Sequence, residues 1–154
     1  MAGASKITKQ TVQLIHNQCL CLAAQKAART LARRFDRAFL PLGITNQQFS
    51  LMVALQGMQA ARPGQVAKLL GMDQTTVTAA VKALARRGLV DIGTDENDSR
   101  ARSVSLTDSG RDVLVLAVPI WMLEHVALAT EMPEGEAEIL ARTLGGLGTA
   151  GPPR

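Results

Sequence analysis

Between residues 74 and 86 the stretch "QTTVTAAVKALAR" carries three threonines, a glutamine, a lysine and an arginine on what reads as a helix. Threonine costs a helix a few tenths of a kcal/mol of propensity, roughly the spread among ordinary residues, so packing can outweigh it. In return it presents short hydroxyls for phosphates or base edges and a methyl group for thymine. Gln74, Thr75, Thr76, Thr78 and Lys82 are therefore candidates to face a major groove, with Arg86 toward its edge. Gln65, at the start of the preceding helix, is a candidate phosphate contact, and Arg100 and Arg102 supply cations further along. The chain has no G-x-S-x-G, no Walker loop and no Cys/His pair with a third partner, so it does not read as an enzyme. "TLGGLG" follows a helix and leads into a tail, which is no phosphate loop. With two histidines, His16 and His125, and no Cys/His cluster, neither a metal site nor a cofactor is expected.

The elements that must position these groups follow from spacing. From Thr8 to Phe39 there is no Pro or Gly, and Leu20, Ala24, Ala27, Leu31, Phe35 and Ala38 recur along one face, which predicts a single long amphipathic helix. Lys26, Arg29, Arg33 and Arg37 form a basic row on it, read as a solvated face. "PLG" ends that helix, and Thr45 with Gln48 three residues on makes a capping-box start for a helix to about Gln59. Pro63 opens a third helix, with Val66, Leu69 and Leu70 inward and Gly71 as its stop. Asp73 caps a fourth, whose core stripe is Val77, Ala80, Val81 and Leu84 and which ends at Gly88. "LVDIG" and "RSVSL" alternate apolar and polar around "TDEND", a β-hairpin signal with Arg100 and Arg102 near its tip. Thr107 caps a long helix that Pro119 should kink or interrupt, and "MPEGEAEILARTLGGL" gives the last helix.

At 154 residues the chain fits one domain, and 47% apolar with 19% charged residues excludes a wholly disordered chain. A net charge of +4 suits an anionic partner. "MAGASKITKQ" lacks an apolar leader core, and the long uncharged stretches are broken by Pro, Gly, Asn or Gln, which reads as cytoplasmic with no membrane partner. Aromatic residues are 3% of the chain and tyrosine is absent, so no stacking platform for single strands or RNA is expected, and duplex DNA is the better target.

Two helices joined at a Gly, with Ala67, Gly71 and Val77 at matching offsets, fit a helix-turn-helix: the small Ala allows close approach, the Gly a positive φ, and the Val locks one helix on the other. The hairpin adds a basic wing able to enter a minor groove. "ITNQQFSLMVAL", "PGQVAKLLGMDQTTVTAAVKALARRGLV" and "DENDSRARSVSLTDSGR" resemble the MarR family of winged helix-turn-helix regulators, over about residues 10 to 145. Asp98, Arg100, Leu106, Thr107 and Gly110 stand as in that family's D-x-R…L-T-x-x-G signature. The resemblance implies a mainly α fold: a winged helix-turn-helix over 45–106 with a two-stranded wing, dimerisation helices over 8–42 and 107–148, and a loose tail over 149–154. It also implies a homodimer that presents two wings and two recognition helices to a pseudo-palindromic operator, with Arg100 in the minor groove and Asp98 holding it. The apolar surface of the terminal helices, more than a small core can cover, gives an independent reason for the dimer.

The same resemblance implies a repressor released by a small aromatic effector. "HNQCLCLAA" resembles the start of the family's organic-hydroperoxide-sensing branch, which makes Cys19 and Cys21 candidate redox thiols, although no tyrosine is present to assist them; packing as small apolar groups is the other reading. A winged-helix module used for protein contacts alone shares the core stripes but has no need of exposed Lys82, Arg86, Arg100 and Arg102.

Overall fold

The computed structural model describes residues 7–147, so the tail expected over 149–154 lies outside the described residues. The chain divides into two units, residues 1–34 and 35–154. In the first, α1 (Lys9–Gln18) begins at Thr8, whose hydroxyl accepts the Thr11 N–H at 3.1 Å. The single long helix expected from Thr8 to Phe39 is broken at Cys19, and α2 (Leu20–Ala38) starts afresh. His16, Asn17 and Cys19 are weak helix formers, and the Cys19 thiol accepts the Leu22 N–H at 3.4 Å, a local alternative to the helical ladder. Lys26, Arg29 and Arg33 are exposed, as a solvated row should be.

In the second unit the end of α2 leads through a 3-10 turn, Leu40–Leu42, to α3 (Asn46–Met58). The predicted capping box is present: Gln48 N–H donates to the Thr45 hydroxyl at 3.1 Å while Thr45 N–H donates to the Gln48 side chain at 3.0 Å. α4 (Pro63–Leu70) stops at Gly71, with φ 63°, where a side chain would be strained. α5 (Gln74–Arg86) follows, capped by Asp73. β1 (Val90–Asp95) and β2 (Asp98–Leu106) pair antiparallel, Val90 opposite Leu106. Ala61 adds an isolated bridge to β2, exchanging both backbone bonds with Val104 at 2.9 and 3.0 Å, a pairing that no local sequence signal predicts. α6 (Asp108–Ala129) and α7 (Glu136–Gly146) complete the order.

The core joins Phe39, Leu51, Met52 and Leu55 to Val66, Ala67, Val77, Val81 and Leu84, closed by Val90, Val104 and Leu106 from the hairpin. Every member of the α5 stripe predicted to face inward is buried. On α4 the expectation is corrected at one position: Leu69 is 62% exposed, because the short helix buries Val66 and Ala67 instead. Pro119 does not interrupt α6, which runs unbroken for 22 residues. The carbonyl its missing N–H leaves unpaired belongs to Val115, itself 70% exposed, so water can satisfy it. α6 is long and apolar enough to cross a membrane by length and composition, with a mean hydropathy of 1.7. A helix whose apolar side is covered by a second protein surface passes the same test.

The signature Thr and Gly owe their identities to one junction. Thr107 donates its hydroxyl to the Gly88 carbonyl at 2.7 Å and accepts the Gly110 N–H at 3.0 Å, tying the end of the hairpin, the end of α5 and the start of α6 together. A Cβ on Gly110 would fall 2.0 Å from the Leu89 carbonyl oxygen, so no other residue fits there without moving backbone.

Candidate nucleic-acid interface

At 3.6 residues per turn, Thr75, Thr78, Ala79, Lys82 and Arg86 share a sector of about 100° opposite the buried stripe of α5. Together with Gln74, the first four line a shallow surface depression. Gln74, Thr75, Ala79, Lys82 and Arg86 are exposed, whereas Thr76 and Thr78 are half-buried. The hydroxyls differ in what they have left to give. Thr76 donates both its N–H, at 2.8 Å, and its hydroxyl to the Asp73 carboxylate, so it serves the helix cap. Those bonds hold the Asp73 carboxyl below its ordinary pKa. Thr78 donates its hydroxyl to the Gln74 carbonyl one turn back at 2.8 Å. Thr75 has no such internal partner among the described residues.

Gln65 is exposed at the third position of α4, but its side-chain oxygen already accepts the Arg62 N–H at 2.9 Å. Its amide N–H groups are what it can offer a phosphate. The Gln74 side chain lies over the same helix start, its oxygen 3.5 Å from where a Cβ on Gly64 would be.

The wing tip is organised by a residue that sequence reasoning missed. Arg62 donates from Nε to Asp95 Oδ2 at 2.9 Å and places Nη1 3.8 Å from Asp98 Oδ2. Asp95 and Asp98 in turn accept the backbone N–H groups of Asn97 and Arg100, at 2.9 and 3.1 Å. One cation at the foot of α4 thus bridges the two carboxylates that shape the turn. The hydrogen bond from Arg62 lowers the Asp95 carboxyl to a pKa of about 2, and Asp95 in turn raises that of Arg62. Pairing passes from Thr94 opposite Arg102 directly to Asp95 opposite Asp98, so Ser99, Arg100 and Ala101 have no partner on β1 and form an irregularity in β2. Asp98 therefore reaches Arg100 through its backbone amide, and no ion pair joins the two side chains. Lys82, Arg86, Arg100 and Arg102 are exposed with no carboxylate partner among the described residues. Nothing in the local sequence singles out Arg62, because its partner Asp95 lies 33 residues away.

In the N-terminal unit, Cys19 is half-buried and Cys21 exposed, and both are free thiols. Cys21 accepts from the Gln25 side-chain amide at 3.2 Å.

Residues 42–101 match the MarR family. The solved structure of the M. tuberculosis transcriptional regulator MosR in complex with DNA is similar, with 30% identity, a TM-score of 0.75, and coverage of 85% of this chain and 94% of that one. The transcriptional activatory protein BadR of Rhodopseudomonas palustris is 34% identical over 98 residues, 61% of this chain. The transcriptional repressor NicR of Pseudomonas putida is 32% identical over 76 residues, 49% of this chain. These two matches span 56% and 48% of the relatives' own lengths. All three relatives are regulators of transcription and none is an enzyme.

Proposed function

Because this chain belongs to the MarR family, we propose that it is a homodimeric transcriptional regulator that grips duplex DNA with α5 in the major groove and the wing tip in the adjacent minor groove. The observation that carries this reading is the set of four exposed, unpaired cations, Lys82, Arg86, Arg100 and Arg102, on the helix and hairpin that the shared core holds together. Cations left without carboxylate partners are available to replace the counterions of a phosphate backbone. Gln65, Gln74 and Thr75 add polar contacts, and Asp98 with Arg62 keeps the tip in shape. α6 and α7 leave Val115, Leu116, Met122, Leu123, Val126, Ile139 and Leu140 exposed, apolar surface that a second copy would cover. Two-fold symmetry would then set the half-sites about 34–36 Å apart, one helical turn of DNA.

Regulation belongs to the same proposal. Relatives include both an activatory protein and a repressor. We favour repression in the cytoplasm, relieved by a small aromatic effector that prefers the dimer shape whose recognition helices miss successive grooves. His125 lies between Phe35 and Trp121 in tilted ring contacts, with centroids 5.1 and 4.0 Å apart, an aromatic cluster suited to such a ligand. A thiol switch is the second reading, favoured by the helix break at Cys19 and the accessibility of both thiols.

The test is a binding titration of the full chain on the DNA flanking its own coding region, across salt concentrations. Log affinity should fall with log salt by about 0.9 per phosphate neutralised, and a flat slope would mean a winged-helix module that contacts proteins instead. Sedimentation should find a dimer, and tight specific binding by a monomer would refute the symmetric reading. Peroxide release that survives in the Cys19→Ser and Cys21→Ser proteins would remove the thiol switch.

A further inference from the structure

Resting on the DNA-binding reading above, we propose that the depression around Ala79 receives the 5-methyl group of a thymine, making Ala79 a specificity-determining residue of the recognition helix. Threonines could in principle read DNA through hydroxyl or methyl, and the structure discriminates between the two. The hydroxyl protons of Thr76 and Thr78 are spent on Asp73 and on the Gln74 carbonyl. With its hydroxyl turned back on its own helix, Thr78 has its methyl as the remaining group on Cβ. Beside it Ala79, exposed on the same face, contributes another methyl. The groups still free to hydrogen-bond, the Gln74 amide, the Thr75 hydroxyl and the Lys82 ammonium, line the same depression around this apolar centre.

A base edge placed against that centre loses water without gaining a partner, which penalises the amino groups of adenine and cytosine and the acceptors of guanine. The thymine methyl needs no partner and gains from burial. Lys82, one turn beyond Ala79, is placed to donate to an acceptor on a neighbouring pair.

The experiment selects duplexes from a random pool with the full 154-residue chain, then compares the selected duplex with versions in which single thymines are replaced by deoxyuridine. One position per half-site should lose about threefold to fivefold in affinity, the worth of burying one methyl group. The ratio should collapse to near one in Ala79→Gly, and Ala79→Ser, which places a hydroxyl in the depression, should also reduce it. Lys82→Ala should bind both duplexes more weakly and keep the ratio. Thermal melts of each variant establish that it is folded. Specific binding with no thymine-to-uracil effect at any position overturns the methyl assignment alone, as does a ratio unchanged in both Ala79 variants. If selection enriches no sequence, the DNA-binding reading itself falls and carries this one with it.

Discussion

Replacing Gly110 by alanine should destabilise the protein in spite of the better helix propensity of alanine. The new Cβ would sit 2.0 Å from the Leu89 carbonyl oxygen, 3.0 Å from its carbon and 3.2 Å from Leu106 Cδ2. The first two are backbone atoms, which cannot rotate aside as a flexible side chain could. Forced overpacking of this kind costs about 1–3 kcal/mol. The Leu89 carbonyl also accepts the Thr107 N–H at 3.2 Å, so pushing it away forfeits about 1 kcal/mol more. Against this stands a propensity gain of at most about 1 kcal/mol, smaller in a first turn. The net loss is about 2 kcal/mol, or a fall in Tm of roughly 4–8 °C for a chain of this size. The assay is thermal and urea unfolding at one fixed protein concentration, since any self-association makes Tm depend on it. Gly57→Ala is the internal control: the glycine is exposed near the end of α3 with nothing within 4 Å of an added methyl group, and the substitution should stabilise by about 0.5–1 kcal/mol. A Gly110→Ala protein as stable as the parent would refute the close packing of α6 on the hairpin.

Three further outcomes are expected. Asp95 has a folded pKa of about 2 against an ordinary value of 3.8, so its contribution to stability is fully present above about pH 4 and is lost as pH falls through 2; in Arg62→Ala the carboxyl should titrate closer to its ordinary value by NMR, and an unmoved titration would rule out Arg62 as the cause. Thr45→Ala should cost about 1 kcal/mol in chemical denaturation by opening the capping box on α3, and no loss would mean that Gln48 and water suffice. Arg100→Ala should weaken DNA binding and reduce the salt slope by about one contact while leaving Tm unchanged, and retained affinity would remove Arg100 from the interface.

By itself the sequence determined the features whose partners lie within a few residues. Thr45 with Gln48, Asp73 with Thr76, and Thr107 with Gly110 are bonds across three residues, and Gly71 answers to its own φ, so composition and spacing announce them. The buried stripe of α5 was legible for the same reason, because its period is local. Tertiary structure decided what depends on residues far apart in the chain: the Arg62 clasp on Asp95, the Ala61 bridge to Val104, and Arg87 donating to the Leu42 and Gly43 carbonyls. Two outcomes have local partners yet carry no composition signal: Thr78 turns its hydroxyl onto the Gln74 carbonyl one turn back, and the first helix breaks at Cys19, where neither Pro nor Gly gives warning. Local signals specify where a helix starts and which face is apolar. Whether a cation such as Arg62 is clasped or left free is settled only when the chain has brought its distant partners together.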